Sequence, residues 1–397
     1  MLHGGEIYGK DKIRLDFSVN LNPLGMPAEA KEALRALTPE DLGKYPDTEC
    51  RELRRLLAEK HSIPEEQILF GNGASELLLA AAFAVPRGRA LIPVPSFSGY
   101  ERAVYSAGHD PVFFPLTEEN GFSLSGDPAA AQAFLNELEK GYGIVFLCSP
   151  GNPVGNCISR DLLEEIASRC DVLGTRLILD ECFLELSPRY AESMIPLLGR
   201  HPMLTVIRAF TKTYAMPGVR LGYAVSADTG FLRAMQSRQP EWSISVPAQK
   251  LGAAALRAEG SPGKNREYIQ AEGFLERSRK YVQRERVFLE DGLRELGFRV
   301  FSGEANYILF KAADQDVTGA GRLSEYGAEP DTAGYGTGSG LWKALVSEGI
   351  LIRFCSSFRG LDGRYFRTAV RTHEENEELL ACLRSIVNGD AGSWSHR

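Results

Sequence analysis

The sequence predicts an α/β protein: a mostly parallel sheet covered on both faces, followed by a smaller α+β unit. Two observations carry this. Between residues 68 and 225 short apolar runs alternate with helical patterns, and the runs lack the polar alternation of strands that face water. The chain is also 397 residues long, more than one ordinary hydrophobic core accommodates.

The elements follow in order. The stretch to Pro46 is rich in turn residues, among them Asn20-Leu21-Asn22-Pro23-Leu24-Gly25. A helix is predicted over 48–61, with Leu53, Leu56 and Leu57 on one face. Ser62-Ile63-Pro64-Glu65 has capping-box spacing and a proline in the first turn, which predicts a second, short helix. Strands are predicted at 68–70, 90–92, 144–147, 177–179, 204–207 and 221–225, with helices at 75–84, 97–107, 129–140 and 160–170. An amphipathic helix over 265–296 opens the smaller unit. Strands at 298–301, 307–310, 350–354 and 366–370 follow, then a terminal helix from Glu374.

Residues 312–339 hold many Gly, Ala, Asp and Thr with little periodicity, as expected of a surface insertion. The expected division is a large domain over 46–275 and a small one over 276–397, with residues 1–45 joining the small one.

A net charge of −7 argues against a general nucleic-acid binder, since no basic cluster is dense enough to neutralise a phosphate backbone. No apolar stretch approaches the ~20 residues that cross a bilayer, and Met1-Leu2-His3-Gly4-Gly5 lacks the order of a signal peptide. A cytoplasmic protein without membrane or nucleic-acid partners is expected. The seven cysteines and six histidines form no cluster at metal-ligand spacing, so no metal is expected.

The informative residues stand just after predicted strands, where open parallel sheets place their ligands. Asp180 follows 177–179, and Ser149-Pro150-Gly151-Asn152-Pro153 follows 144–147. Arg208-Ala209-Phe210-Thr211-Lys212 follows 204–207, with Gly218-Val219-Arg220 close behind. Alone, each has a bland reading: a helix cap, a turn, a solvated lysine. Together they match what pyridoxal phosphate needs. Lys212 is the amine that condenses with the cofactor's aldehyde. Asp180 is the carboxylate that keeps the pyridine nitrogen protonated, so that the ring can accept electrons. Asn152 is placed for the ring hydroxyl, and Phe97 offers an aromatic face. Arg220, Thr211 and the Gly-rich Gly71-Asn72-Gly73-Ala74-Ser75-Glu76 entering a helix suit a phosphate.

This series resembles the fold-type I pyridoxal-phosphate enzymes, in the branch of histidinol-phosphate aminotransferase and threonine-phosphate decarboxylase. The resemblance covers nearly the whole chain outside 312–339. It implies a large domain with a mostly parallel seven-stranded sheet and a smaller α+β domain. It also implies pyridoxal 5'-phosphate as cofactor, held by Lys212, Asp180, Asn152, Phe97, Gly73, Ala74, Ser75, Thr211 and Arg220. Tyr45, in Lys44-Tyr45-Pro46, resembles the tyrosine that reaches the cofactor phosphate of a neighbouring subunit, which implies a homodimer with shared sites.

Within the branch, four features resemble the decarboxylases. These are the start His3-Gly4-Gly5-Glu6-Ile7-Tyr8 with Asn20, Phe97 in place of tyrosine, Phe183 in place of tyrosine, and the segment around Arg353 and Arg367. By that resemblance His3, Asn20, Asn152, Arg353 and Arg367 contact a small phosphorylated amino acid. The implied reaction is decarboxylation of O-phospho-L-threonine in cobalamin biosynthesis, with O-phospho-L-serine a second candidate substrate. Two alternatives stand beside it: an aminotransferase such as histidinol-phosphate aminotransferase, and a cofactor-binding regulator without turnover.

Overall fold

The computed structural model describes residues 4–5, 13–259, 272–312 and 340–388. In chain order the strands are β1 (Leu15–Asp16), β2 (Ile68–Gly71), β3 (Arg89–Val94), β4 (Asp110–Pro115), β5 (Ile144–Cys148), β6 (Arg176–Asp180), β7 (Leu204–Ala209) and β8 (Gly222–Ser226). After them come β9 (Arg299–Val300), β10 (Tyr307–Lys311), β11 (Ile350–Leu351), β12 (Arg353–Phe354) and β13 (Tyr365–Ala369).

Strands β2 to β8 make one seven-stranded sheet in the order β2-β8-β7-β6-β5-β3-β4. β3 to β7 run parallel, while β8 is antiparallel to both β2 and β7. Alternate residues of the central strands feed two cores. Val145, Leu147, Leu177, Leu179 and Val206 belong to one, and Ile144, Phe146, Ile178 and Ile207 to the other. Burial on both faces is why these strands read as unbroken apolar runs.

Helices cover the sheet: α1 (Ala28–Arg35), α2 (Pro39–Leu42), α3 (Arg51–His61), α4 (Ala74–Ala84), α5 (Ser98–Ala107), α6 (Pro128–Leu138), α7 (Arg160–Leu173), the single turn α8 (Phe210–Thr213), α9 (Thr229–Gln236) and α10 (Val246–Arg257). Helix α11 (Phe274–Glu295) then leads to an antiparallel sheet ordered β12-β13-β10-β9, with α12 (Gly340–Ser347) and α13 (His373–Asn388) against it. β1 pairs in parallel with β11, Leu15 opposite Ile350, and Phe17 enters the same core as Ile350, Phe366 and Leu383. No helix among the described residues is long and apolar enough to cross a membrane.

The mostly parallel seven-stranded sheet expected from the sequence is present, with four differences of detail. The sequence reading leaves out β4, an edge strand that pairs only with β3 and carries Pro111 and Pro115. Proline is tolerated at such an edge and hides it from an apolar-run search. The turn-rich N-terminal stretch contains α1 and α2.

Ser62 does not start a helix. It ends α3 in the left-handed conformation, φ 55°, and only a 3-10 turn, Glu65–Gln67, follows. The single strand expected over 350–354 is divided between two sheets, β11 pairing with β1 and β12 with β13. One continuous apolar run carries no mark of that change of partner. Residues 265–271 of the expected long helix and 313–339 of the insertion expected over 312–339 lie outside the described residues.

Candidate active site

A cavity of about 370 Å³ opens where β5, β6 and β7 end. Their last residues, Cys148, Asp180 and Ala209, all line it. Parallel strands deliver their carboxyl ends to one edge of the sheet, so side chains just beyond them converge there.

Lys212 lies on α8, the turn that begins as β7 ends, and its side chain is half-buried in the cavity wall. The N-terminal segment clamps this turn. The Asn22 amide donates to the Lys212 carbonyl at 3.0 Å. The Asn22 side chain donates to the Thr213 carbonyl at 2.9 Å and to Ser278 Oγ at 2.8 Å. Burial, reinforced by the nearby Arg367 charge, pulls the Lys212 ammonium down to about 8. Roughly a tenth of the amine is then uncharged and nucleophilic at neutral pH, far more than for a solvated lysine.

Asp180 is buried and doubly held. Its Oδ2 accepts from the Tyr100 hydroxyl at 2.7 Å and its Oδ1 from the Cys182 amide at 2.9 Å. Burial raises its pKa and these two donors oppose the rise. A fixed, buried carboxylate of this kind calls for a cation opposite it. Phe97 lines the same cavity and meets Tyr100 edge-on, with centroids 5.6 Å apart.

The anion end is built around α4. Ala74 and Ser75 are its first residues and line the cavity with Thr211 and Arg220. Arg220 takes a left-handed backbone, φ 58°, unusual for a residue with a side chain. That bend carries its guanidinium back over the glycine turn, where it donates to the carbonyls of Pro217 at 3.0 Å and Asn72 at 3.4 Å. Gly73 is needed there, because its φ is +81° and a Cβ would lie 2.5 Å from the Arg220 guanidinium. A cation beside fresh helix amides suits a phosphate.

A lysine, a buried carboxylate, an aromatic face and an anion cradle therefore share one cavity, and the donor set fits pyridoxal phosphate. Lys212 would hold its aldehyde end, Asp180 its ring nitrogen, and Ala74, Ser75, Thr211 and Arg220 its phosphate.

On the other side of the cavity stand Asn20, Asn152, Arg353 and Arg367. Arg353 and Arg367 face each other across the β12–β13 ladder. Arg367 is buried; it donates to Asn152 Oδ1 and, at 2.8 Å, to the Ser18 carbonyl. Burial, with the like charge of Arg353 also acting, lowers its pKa to about 10, so it remains a cation at neutral pH. Its Nε and the Asn20 Oδ1 are buried without a hydrogen-bond partner. Arg353 donates to Ser357 Oγ at 2.8 Å and sits over the Phe358 ring.

Three sequence candidates stand elsewhere. Gly73 backs Arg220 without lining the cavity. Tyr45 is 80% exposed, packs on Trp242 at 4.8 Å between centroids, and is absent from this chain's own cavity wall. His3 lies outside the described residues; Gly4, next to it in sequence, lines the cavity. The sequence reading passes over Tyr100, which holds Asp180. Its signal is its place three residues after Phe97, which caps α5 and accepts from the Tyr100 amide at 3.1 Å.

The family model for class I and II aminotransferases matches residues 12–383. The chain is 34% identical to the threonine-phosphate decarboxylase of Salmonella typhimurium, over 95% of this chain and 92% of that one. It is 27% identical to a histidinol-phosphate aminotransferase of Ruminiclostridium cellulolyticum, over 94% and 92% respectively. Among solved structures, the histidinol-phosphate aminotransferase of Clostridium acetobutylicum superposes with a TM-score of 0.78 at 26% identity, covering 94% of this chain and 99% of the other. The chain belongs to the class I and II aminotransferase family of fold-type I pyridoxal-phosphate enzymes, in the branch that holds threonine-phosphate decarboxylases and histidinol-phosphate aminotransferases.

Proposed function

We propose that this chain decarboxylates O-phospho-L-threonine, releasing carbon dioxide and leaving (R)-1-amino-2-propanol phosphate for cobalamin assembly. The observation that carries the reading is the pair Arg353 and Arg367, directly opposite each other on adjacent strands and open to the cavity. Like charges in that position are destabilising unless anions lie between them. Arg220 is already committed to the cofactor's phosphate, so this second cationic pair supports a substrate with two anionic groups. A phosphorylated amino acid has them in its carboxylate and its phosphate. Arginine's planar fork suits both. The resemblance to the Salmonella decarboxylase points the same way.

Pyridoxal phosphate supplies, when bound, an electron sink for the pair released when a bond at the substrate's Cα breaks. The chain's residues decide which bond that is. Arg353 and Arg367 would hold the two anions, and that grip would set which bond at Cα is oriented for cleavage. Asp180 would hold the ring nitrogen in its protonated form. The carboxylate departs as carbon dioxide, and Lys212, or a group beside it, then delivers a proton to Cα. Phe183, which lines the cavity and packs edge-on against Tyr307, presents no hydroxyl to the ring.

Incubation with O-phospho-L-threonine should release carbon dioxide and an amino-alcohol phosphate. Release from O-phospho-L-serine instead would name that as the substrate, since one methyl group changes recognition only about 10- to 200-fold. A keto acid with no carbon dioxide would favour the aminotransferase reading, which rests on the histidinol-phosphate aminotransferase relatives.

Arg367→Gln should lower kcat/KM for the phosphorylated substrate about 100-fold or more, the size of losing one partner of a buried charge pair. Absorbance of the bound cofactor should persist. An unaltered kcat/KM would remove Arg367 from the substrate site. Two copies of the chain complete each other's sites in this reading. Tyr45, exposed and stacked on Trp242, is the side chain offered to the neighbour's cofactor phosphate.

A further inference from the structure

Directly behind the cavity, on the opposite face of the sheet, lies a buried cluster of charges. Strand residues alternate faces, so Asp180 and Ala209 look into the cavity while Glu181 and Arg208 point the other way. The two meet there, with Arg208 Nη2 donating to Glu181 Oε2 at 2.7 Å and Nε to the same oxygen at 3.1 Å. Their side chains are 6% and 1% exposed. Ser193 Oγ and the Met194 amide complete the Glu181 carboxylate at 2.8 and 2.9 Å.

Arg208 Nη1 also faces Glu185 at 3.3 Å, and Lys60 Nζ donates to Glu185 at 2.6 Å. The chain of contacts ends on Tyr214, whose hydroxyl accepts from Lys60 Nζ at 3.1 Å. Two carboxylates thus face two cations, and beside them stand Glu259, whose carboxyl is pushed up to about 7 by burial, and His61, whose imidazole is pushed down by burial.

Two features of this cluster bear on the chemistry. Glu181 directly follows Asp180 in sequence. The segment carrying Lys212 is tied to the cluster at both ends, through Arg208 before the lysine and Tyr214 after it. Between them β6 and β7 are joined in parallel register, Asp180 opposite Ile207. Buried ion pairs are a weak source of stability, because desolvation offsets their attraction and apolar residues of equal volume do as well or better. What such a pair supplies is a fixed geometry, and here the geometry is that between the two groups the cofactor needs.

We infer that Glu181, Arg208, Glu185 and Lys60 form a brace that sets Lys212 against Asp180, making them positioning residues for the reaction rather than contributors to the fold alone. The inference rests on the roles given above to Lys212 and Asp180. It places function on residues that touch neither cofactor nor substrate. Tyr214 is the brace's far anchor.

The test uses the holoenzyme of two variants. Glu181→Gln/Arg208→Met removes the pair without stranding a charge, and Lys60→Met cuts the link to Tyr214 at the cluster's more accessible end, where the lysine side chain is 23% exposed. The first readout is the pH titration of the bound cofactor's visible absorbance, which reports the proton at the Lys212 nitrogen. The second is kcat against KM.

The brace predicts a shift in titration midpoint of about half a pH unit, a roughly threefold change in that equilibrium. It also predicts a fall in kcat of about 10- to 100-fold, the size that small misplacements produce, with KM within about twofold of the parent's. A lower Tm with midpoint and kcat both unmoved would mean a purely structural cluster and would overturn the inference. If the double variant does not fold, Lys60→Met decides on the same criteria. Failure of the Lys212 assignment itself would appear in the unsubstituted enzyme, as cofactor attached to another lysine.

Discussion

Lys212→Ala should abolish turnover and the absorbance of covalently held cofactor. The side chain has two tasks in the proposed reaction, and both depend on its being partly uncharged. It joins the cofactor's aldehyde, and it moves a proton at the substrate's Cα. Loss of a positioned general acid or base alone lowers rates about 100- to 10,000-fold, and loss of the attachment adds to that. Borohydride trapping followed by peptide mapping should place the cofactor's mass on the peptide containing Lys212 in the parent, with none in the variant. Label on another lysine, or activity within tenfold of the parent's, would dismantle the site.

The apoprotein gives a separate check with a definite sign. Burial lowers the Lys212 pKa from an ordinary 10.5 to about 8. Below pH 8 the folded chain therefore carries the penalty of a partly desolvated ammonium. Between pH 8 and 10.5 the penalty fades, because the folded state binds fewer protons than the unfolded one there. Alanine has no such group. The Tm of the variant relative to the parent should therefore be higher at pH 7 than at pH 10. A difference independent of pH would show that the amine is not desolvated.

The strand ends made this chemistry readable. Asp180, Asn152 and Lys212 each stand just past an apolar run that no surface strand would show, so sequence order alone brought them to one edge of a sheet. Arg353 and Arg367 were legible for a related reason, as charges inside apolar strands. The residues that escaped notice did so because burial inverts their usual meaning. Glu181 and Arg208 are charged and read as surface, yet they lie under the sheet. Tyr100 is aromatic and reads as core, yet its hydroxyl holds Asp180.

Boundaries failed where one run served two partners, as in the passage from β11 to β12. Register and partner choice depend on residues hundreds of positions away, which a local pattern does not encode.

Asp180→Asn should be nearly as damaging as loss of the lysine, and its pH dependence should identify why. The carboxylate sits in a buried place whose two donors, Tyr100 and the Cys182 amide, hold it still without supplying a full positive charge. Set against a protonated ring nitrogen it forms one buried ion pair, and breaking such a pair by removing one partner costs about 3–5 kcal/mol. That corresponds to a fall in kcat of roughly 100- to 5,000-fold.

Asparagine keeps the shape and can still accept from Tyr100, so folding should change little, and kcat is compared at saturating cofactor because affinity falls with the lost pair. Asparagine also no longer raises the pKa of the ring nitrogen. What activity remains should decline as pH rises through neutrality, whereas the parent, with its carboxylate in place, should stay flat across that range. Activity of Asp180→Asn within threefold of the parent, with the same pH profile, would show that the ring nitrogen works without this carboxylate.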